Sequence, residues 1–113
     1  MIKAIGVAAA LTSLVLAGPA LAAGTPAAGA QKIKTFGCIN CHGRDGVSKL
    51  PEAPNLSGQV EVYLASSLQA YRSGARKNEI MNTVAATLPD DAINDLASYY
   101  ASIAVAVTPP PRP

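Results

Sequence analysis

Both cysteines of this 113-residue chain and its only histidine fall within five positions, in Cys38-Ile39-Asn40-Cys41-His42. Four chemistries use such residues. Thiol–disulfide exchange uses Cys-x-x-Cys, but in a βαβ setting, and no strand pattern with turn chemistry appears in this chain. A closed structural zinc site takes four ligands, usually Cys or His. The motif supplies three, and only carboxylates remain to complete it. A hydrolytic Cys–His pair needs a third group to orient the base, and none is identifiable. Cys-x-x-Cys-His is also the attachment signal for c-type haem, and this reading uses every residue. The thiols of Cys38 and Cys41 each add to a vinyl group and form thioethers. His42 follows directly, so its ring is held close beneath the iron.

The iron's sixth position points to Met81. A methionine ordinarily fills core space. Here no second histidine competes for the site, and apart from Met1 no other methionine is present. Met81 lies 39 residues after His42, far enough for the chain to pass from one haem face to the other. Thioether is also the common partner of His in electron-carrying haem.

Stepping outward, residues 1–22 read as a cleaved signal peptide: Lys3, then an apolar run of about 14 residues, then Gly18-Pro19 and the small-x-small Ala20-Leu21-Ala22. The run is shorter than the roughly 20 residues of a spanning helix. These features predict an exported, periplasmic chain without stable membrane insertion. Nine Lys plus Arg face seven Asp plus Glu. Loss of Lys3 leaves a net charge of +1, too little for a nucleic-acid-binding face.

The remaining 91 or so residues hold no Trp and one Phe, so the core is thin. A large apolar cofactor packs such a core better than one short disulfide loop, which constrains the unfolded chain little. Residues 23–28 are expected as a flexible lead-in, 29–105 as the domain and 106–113 as an extended Pro-rich tail. A helix is expected from about Ala27 to Gly37, with Ile33 and Phe36 on one side. A Gly/Pro/Ser/Asn-rich loop is expected over 43–58. A second helix is expected over 59–74, with Leu64, Leu68 and Tyr71 sharing a face, Glu61 and Arg72 complementing its dipole, and Gly74 as its stop. Residues 75–88 read as a short helix or an irregular segment. A helix over 89–104 begins with Pro89 in its first position and buries Ile93, Leu96, Ala97, Tyr100 and Ala104. The fold class is all-α.

Three stretches resemble class I cytochromes c of the bacterial monohaem type, over roughly residues 29–104: "CINCHG", "APNLSGQ" and "YLASSLQAYRSGARKNEIMNTVAATLPDDAINDLASYY". The last is similar to small soluble cytochromes and to each half of tandem dihaem ones. The resemblance implies a small cytochrome c fold, 3–5 helices around one covalently bound haem c with its iron. It implies that Cys38 and Cys41 attach the haem, that His42 and Met81 ligate the metal, and that the Pro54 carbonyl accepts a hydrogen bond from His42 Nδ1. The implied function is periplasmic one-electron transfer between redox-protein donor and acceptor, with no enzymatic reaction. The alternative is a cytochrome subunit of a larger periplasmic dehydrogenase, such as a flavoprotein sulfide dehydrogenase. Arg44, Lys49, Arg76 and Lys77 are the candidate partner-orienting cations. The chain departs from the family at Lys34, where an aromatic is common, and at Pro89, where relatives often have Ser.

Overall fold

Helix boundaries follow from caps and close approaches. The computed structural model describes residue 1 and residues 23–113; the expected signal peptide lies outside the described residues. Helix α1 spans Pro26–Thr35, α2 Cys38–His42, α3 Glu61–Ser73, α4 Glu79–Ala85 and α5 Asp90–Ala101. No strand occurs among the described residues.

Thr25 caps α1 by accepting the Ala28 N–H, with Pro26 in the first turn, where its missing N–H costs nothing. Residues 26–28, expected as lead-in, are thus helical. The segment is also tied down, since the Thr25 N–H donates to Asp95 at 2.8 Å. α1 lies directly on α5 because it presents glycine there. A Cβ on Gly29 would run into the Asp95 carbonyl and sit 2.5 Å from Tyr99 Cβ. Lys32 then reaches both Asp91 and Asp95, at 2.7 and 2.6 Å.

α5 is the keel. Ala92, Ile93, Leu96, Ala97 and Tyr100 are buried along it, and Ile33 from α1, Leu64 from α3, Ala85 from α4 and Leu88 pack with them. Ile33 and Ile93 are the largest fully buried side chains, so the core is as thin as the composition implied. α1 and α3 both pack on α5, while α2 packs on α1 and α4 on α3. Two arms therefore leave the keel, one ending in the Cys-x-x-Cys-His helix and the other in the Met81 helix.

Two expectations at α5 need correction. Pro89 is its N-cap, not its first helical residue. The helix also stops at Ala101, and Ala104 is exposed. The reason is competition for a carbonyl. The Gly58 N–H takes the oxygen of Tyr100 at 2.9 Å, the acceptor that an N–H at Ala104 needs to continue the helix. Arg72 lies in the last turn of α3, as expected. Its side chain also donates to the Leu88 carbonyl at 2.9 Å and to Asp90 at 2.7 Å, pinning the end of α3 to the start of α5. Gly74 ends α3 in the left-handed conformation, as expected. Residues 75–78 are irregular before α4 begins.

Candidate functional site

α2 is a single short turn set off from α1 by Gly37, whose φ of 74° breaks the helix sharply. Cys38 and Cys41, three apart, share one side of that turn. Both thiols are free and half-buried. Burial pushes the Cys38 thiol up to about 11, so little thiolate exists at neutral pH. An exchanging dithiol needs the opposite shift. Among the described residues no three His, Cys, Asp or Glu side chains are grouped so that they could hold a metal ion.

His42 closes α2 and is 7% exposed. Its Nδ1 lies 2.9 Å from the Pro54 carbonyl oxygen. A carbonyl only accepts, so Nδ1 carries the proton and Nε2 keeps the lone pair that a metal requires. The loop is folded to make this contact. The Lys49 N–H donates to the Cys41 carbonyl at 2.8 Å and the Leu56 N–H to the Gly46 carbonyl at 2.7 Å. The Asn55 side chain accepts the Ser48 N–H at 2.7 Å. From the other side, the Tyr100 and Tyr99 hydroxyls donate to the carbonyls of Gly43 and Arg44, at 2.9 and 2.6 Å. The residues just after His42 are thereby clamped to α5.

Met81 is the third residue of α4 and is partly buried. Its N–H donates to Asn78 Oδ1 at 2.9 Å. The fold thus brings Cys38, Cys41, His42 and Pro54 together on one arm and carries Met81 on the other. α2 and α4 do not pack on each other. Of the four candidate cations, Arg44 and Lys49 line one open groove with Ile39, Tyr99 and Ile103. Arg76 is engaged elsewhere, 4.7 Å above the Tyr71 ring. Sequence reasoning missed the two tyrosine hydroxyls and Asn78. An Asn just ahead of a helix is a capping signal, so Asn78 was findable. The tyrosine contacts cross more than 50 positions, and no local pattern shows them.

The sequence model of the family described as "Cytochrome c" matches residues 26–104. The chain belongs to the cytochrome c family. It is 48% identical over 83 residues to cytochrome c-554(548) of Halomonas halodenitrificans, covering 71% of this chain and 98% of that one. To cytochrome c4 of Pseudomonas aeruginosa it is 40% identical over 92 residues, 81% of this chain but 45% of that protein. A protein of Thiomonas intermedia named thiosulfate dehydrogenase electron acceptor is 36% identical over 93% of this chain and 46% of its own length. The crystal structure of reduced cytochrome c4 from Pseudomonas stutzeri superposes with a TM-score of 0.62 at 31% identity, covering 74% of this chain and 53% of that one. The chain therefore spans nearly all of the small relative and about half the length of the cytochromes c4.

The fold is the cytochrome c fold. As a cytochrome c, the chain carries covalently attached haem c with its iron and is an electron-transfer protein, not an enzyme. The residues present fit that group. Two unpaired thiols lie one turn apart, and an imidazole beside them has only Nε2 left to donate. Among the described residues, no helix is long and apolar enough to cross a membrane.

Proposed function

We propose that this cytochrome c is a periplasmic one-electron carrier, with haem held by Cys38 and Cys41 and its iron ligated by His42 and Met81. When bound, the haem supplies an iron centre that cycles between Fe(II) and Fe(III). The observation that carries the reading is the contact of His42 Nδ1 with the Pro54 carbonyl, at 2.9 Å. It fixes the ring, sets its tautomer and makes Nε2 a better donor. Cys38 and Cys41 anchor the group beside that nitrogen. Met81 supplies a soft thioether from the other arm, which raises the potential relative to a second imidazole. With His42 and Met81 both holding the iron, the bound haem would serve electron transfer and not substrate binding. The residues 1–22 leader supports export to the periplasm.

A dehydrogenase is the donor that the comparisons favour, because one relative is named as the electron acceptor of thiosulfate dehydrogenase. Whether the chain travels freely or stays bound in such a complex is decided by its elution on size exclusion from its source. The site is tested by two changes. Met81→Ala should shift the spectrum away from low-spin Met ligation and lower the potential by on the order of 0.1 V or more. An unchanged spectrum and potential rule Met81 out. The Cys38→Ala, Cys41→Ala double variant should retain no haem after acid–acetone extraction.

A further inference from the structure

The Met81 arm is weakly supported by its own helix. α4 has seven residues, too few to hold a helix by propensity alone. Among the helices it lies against α3, only Ala85 at its far end is buried in the core, and Asn78, Glu79 and Ile80 are exposed. Something else must fix the direction in which Met81 leaves the chain. Asn78, the N-cap, accepts the N–H of Met81 at 2.9 Å. That is half of a capping box. In the usual box, the side chain of the third helical residue completes it by reaching back to the N–H of the cap. Here the third residue is Met81, whose side chain is needed at the iron. The next residue, Asn82, takes over. Its Oδ1 accepts the Asn78 N–H at 2.8 Å. Its Nδ2 spends both hydrogens on carbonyls, those of Tyr71 and Arg76, each at 2.8 Å. Only this orientation of the amide offers donors to both carbonyls and an acceptor to the N–H.

We propose that Asn82 is a positioning residue for Met81, a latch that frees the methionine for the iron and stitches the end of α3, the 74–78 segment and the start of α4 into one unit. This rests on Met81 being the distal ligand. With the latch intact, the thioether stays aimed and excludes outside ligands. With it cut, the Asn78 N–H and the Tyr71 carbonyl lose a partner, and the arm samples positions with the sulfur withdrawn.

The test uses the ferric holoprotein, with imidazole as the competing ligand. Asn82→Ala should bind imidazole roughly tenfold more tightly, because a larger fraction of molecules has an open iron. It should also weaken the Met–iron charge-transfer band and speed amide exchange at Met81. Asn82→Asp is near-isosteric and gives a second route if the alanine variant does not accumulate. It keeps the acceptor for Asn78 but turns an oxygen toward two carbonyls, so the same changes are expected. Lys32→Ala is the comparator, since it loosens α1 from α5, away from this arm. It should leave imidazole affinity within about twofold, as expected for a site sharing no partners with the arm. Unchanged affinity in both Asn82 variants, or an equal change in Lys32→Ala, overturns the latch. A Met–iron band that survives Met81→Ala instead overturns the ligand assignment on which the latch rests.

Discussion

The two residues just after His42 are each held by a tyrosine hydroxyl whose removal has a definite consequence. The Tyr100 side chain is 3% exposed, and its hydroxyl donates to the Gly43 carbonyl at 2.9 Å. Burial pushes this phenol well above its ordinary range, so it stays a donor at any working pH. Tyr100→Phe keeps the ring and leaves a buried carbonyl unpaired. The expected cost is about 1–3 kcal/mol in denaturant unfolding of the holoprotein. Tyr99→Phe should cost less, because Tyr99 and Arg44 lie nearer to water, which can replace the lost partner. Equal costs at the two positions would contradict this ranking.

At the scale of elements, the contact of α1 with α5 decides the fold, and it depends on a missing side chain. In an exposed helix, Gly→Ala stabilises by up to about 1 kcal/mol. At Gly29 the sign should reverse, because the added methyl meets the Asp95 carbonyl and Tyr99 Cβ. Backbone cannot yield as a flexible side chain does. Gly29→Ala is expected to destabilise by roughly 1–3 kcal/mol, measured as a lowered thermal midpoint. A raised midpoint would show that the helices are not in this contact. The same interface explains the family departure at Lys34. Lys34 is exposed while Ile33, one position earlier, is buried, so the aliphatic residue fills the crossing. Pro89 cannot cap with a side chain; Arg72 donates to the neighbouring Leu88 carbonyl and to Asp90, which ties α3 to the start of α5 but caps none of its N–H groups.

For the whole molecule, the Lys32–Asp95–Asp91 cluster joins the first helix to the last and makes stability depend on pH. The Lys32 ammonium, together with the Thr25 N–H, holds the Asp95 carboxyl below its usual range; Lys32 lowers Asp91 likewise. The two carboxylates in turn raise Lys32. A depressed carboxylate contributes stability that is fully present above its unfolded value, near 4, and lost as pH falls through its folded value. A raised lysine contributes below about 10.5 and fades as pH rises past its folded value. The docked N-terminal helix should therefore hold from about pH 5 to 10 and loosen on further acidification. Asp95→Asn should flatten the acid side of a plot of midpoint against pH. An unchanged acid limb would mean that other carboxylates govern acid unfolding.

The haem motif, the all-helical class and the thin core were legible in the sequence because each is local or compositional. Adjacent Cys38, Cys41 and His42 need no fold to be recognised, and the apolar spacing of Ile93, Leu96, Ala97 and Tyr100 names a buried face at any distance. Gly74 as a stop and Glu61 in a first turn are likewise decided within one turn of helix. What joins distant segments was not legible. That Gly58 captures the Tyr100 carbonyl and ends α5 early, that Arg72 serves a different helix, and that two tyrosine hydroxyls clamp the residues after His42 are outcomes of which backbone groups meet. Sequence gives each polar group its capacity to donate or accept. Only packing decides which partner lies within 3 Å, and every unpaired buried group makes that choice costly to change.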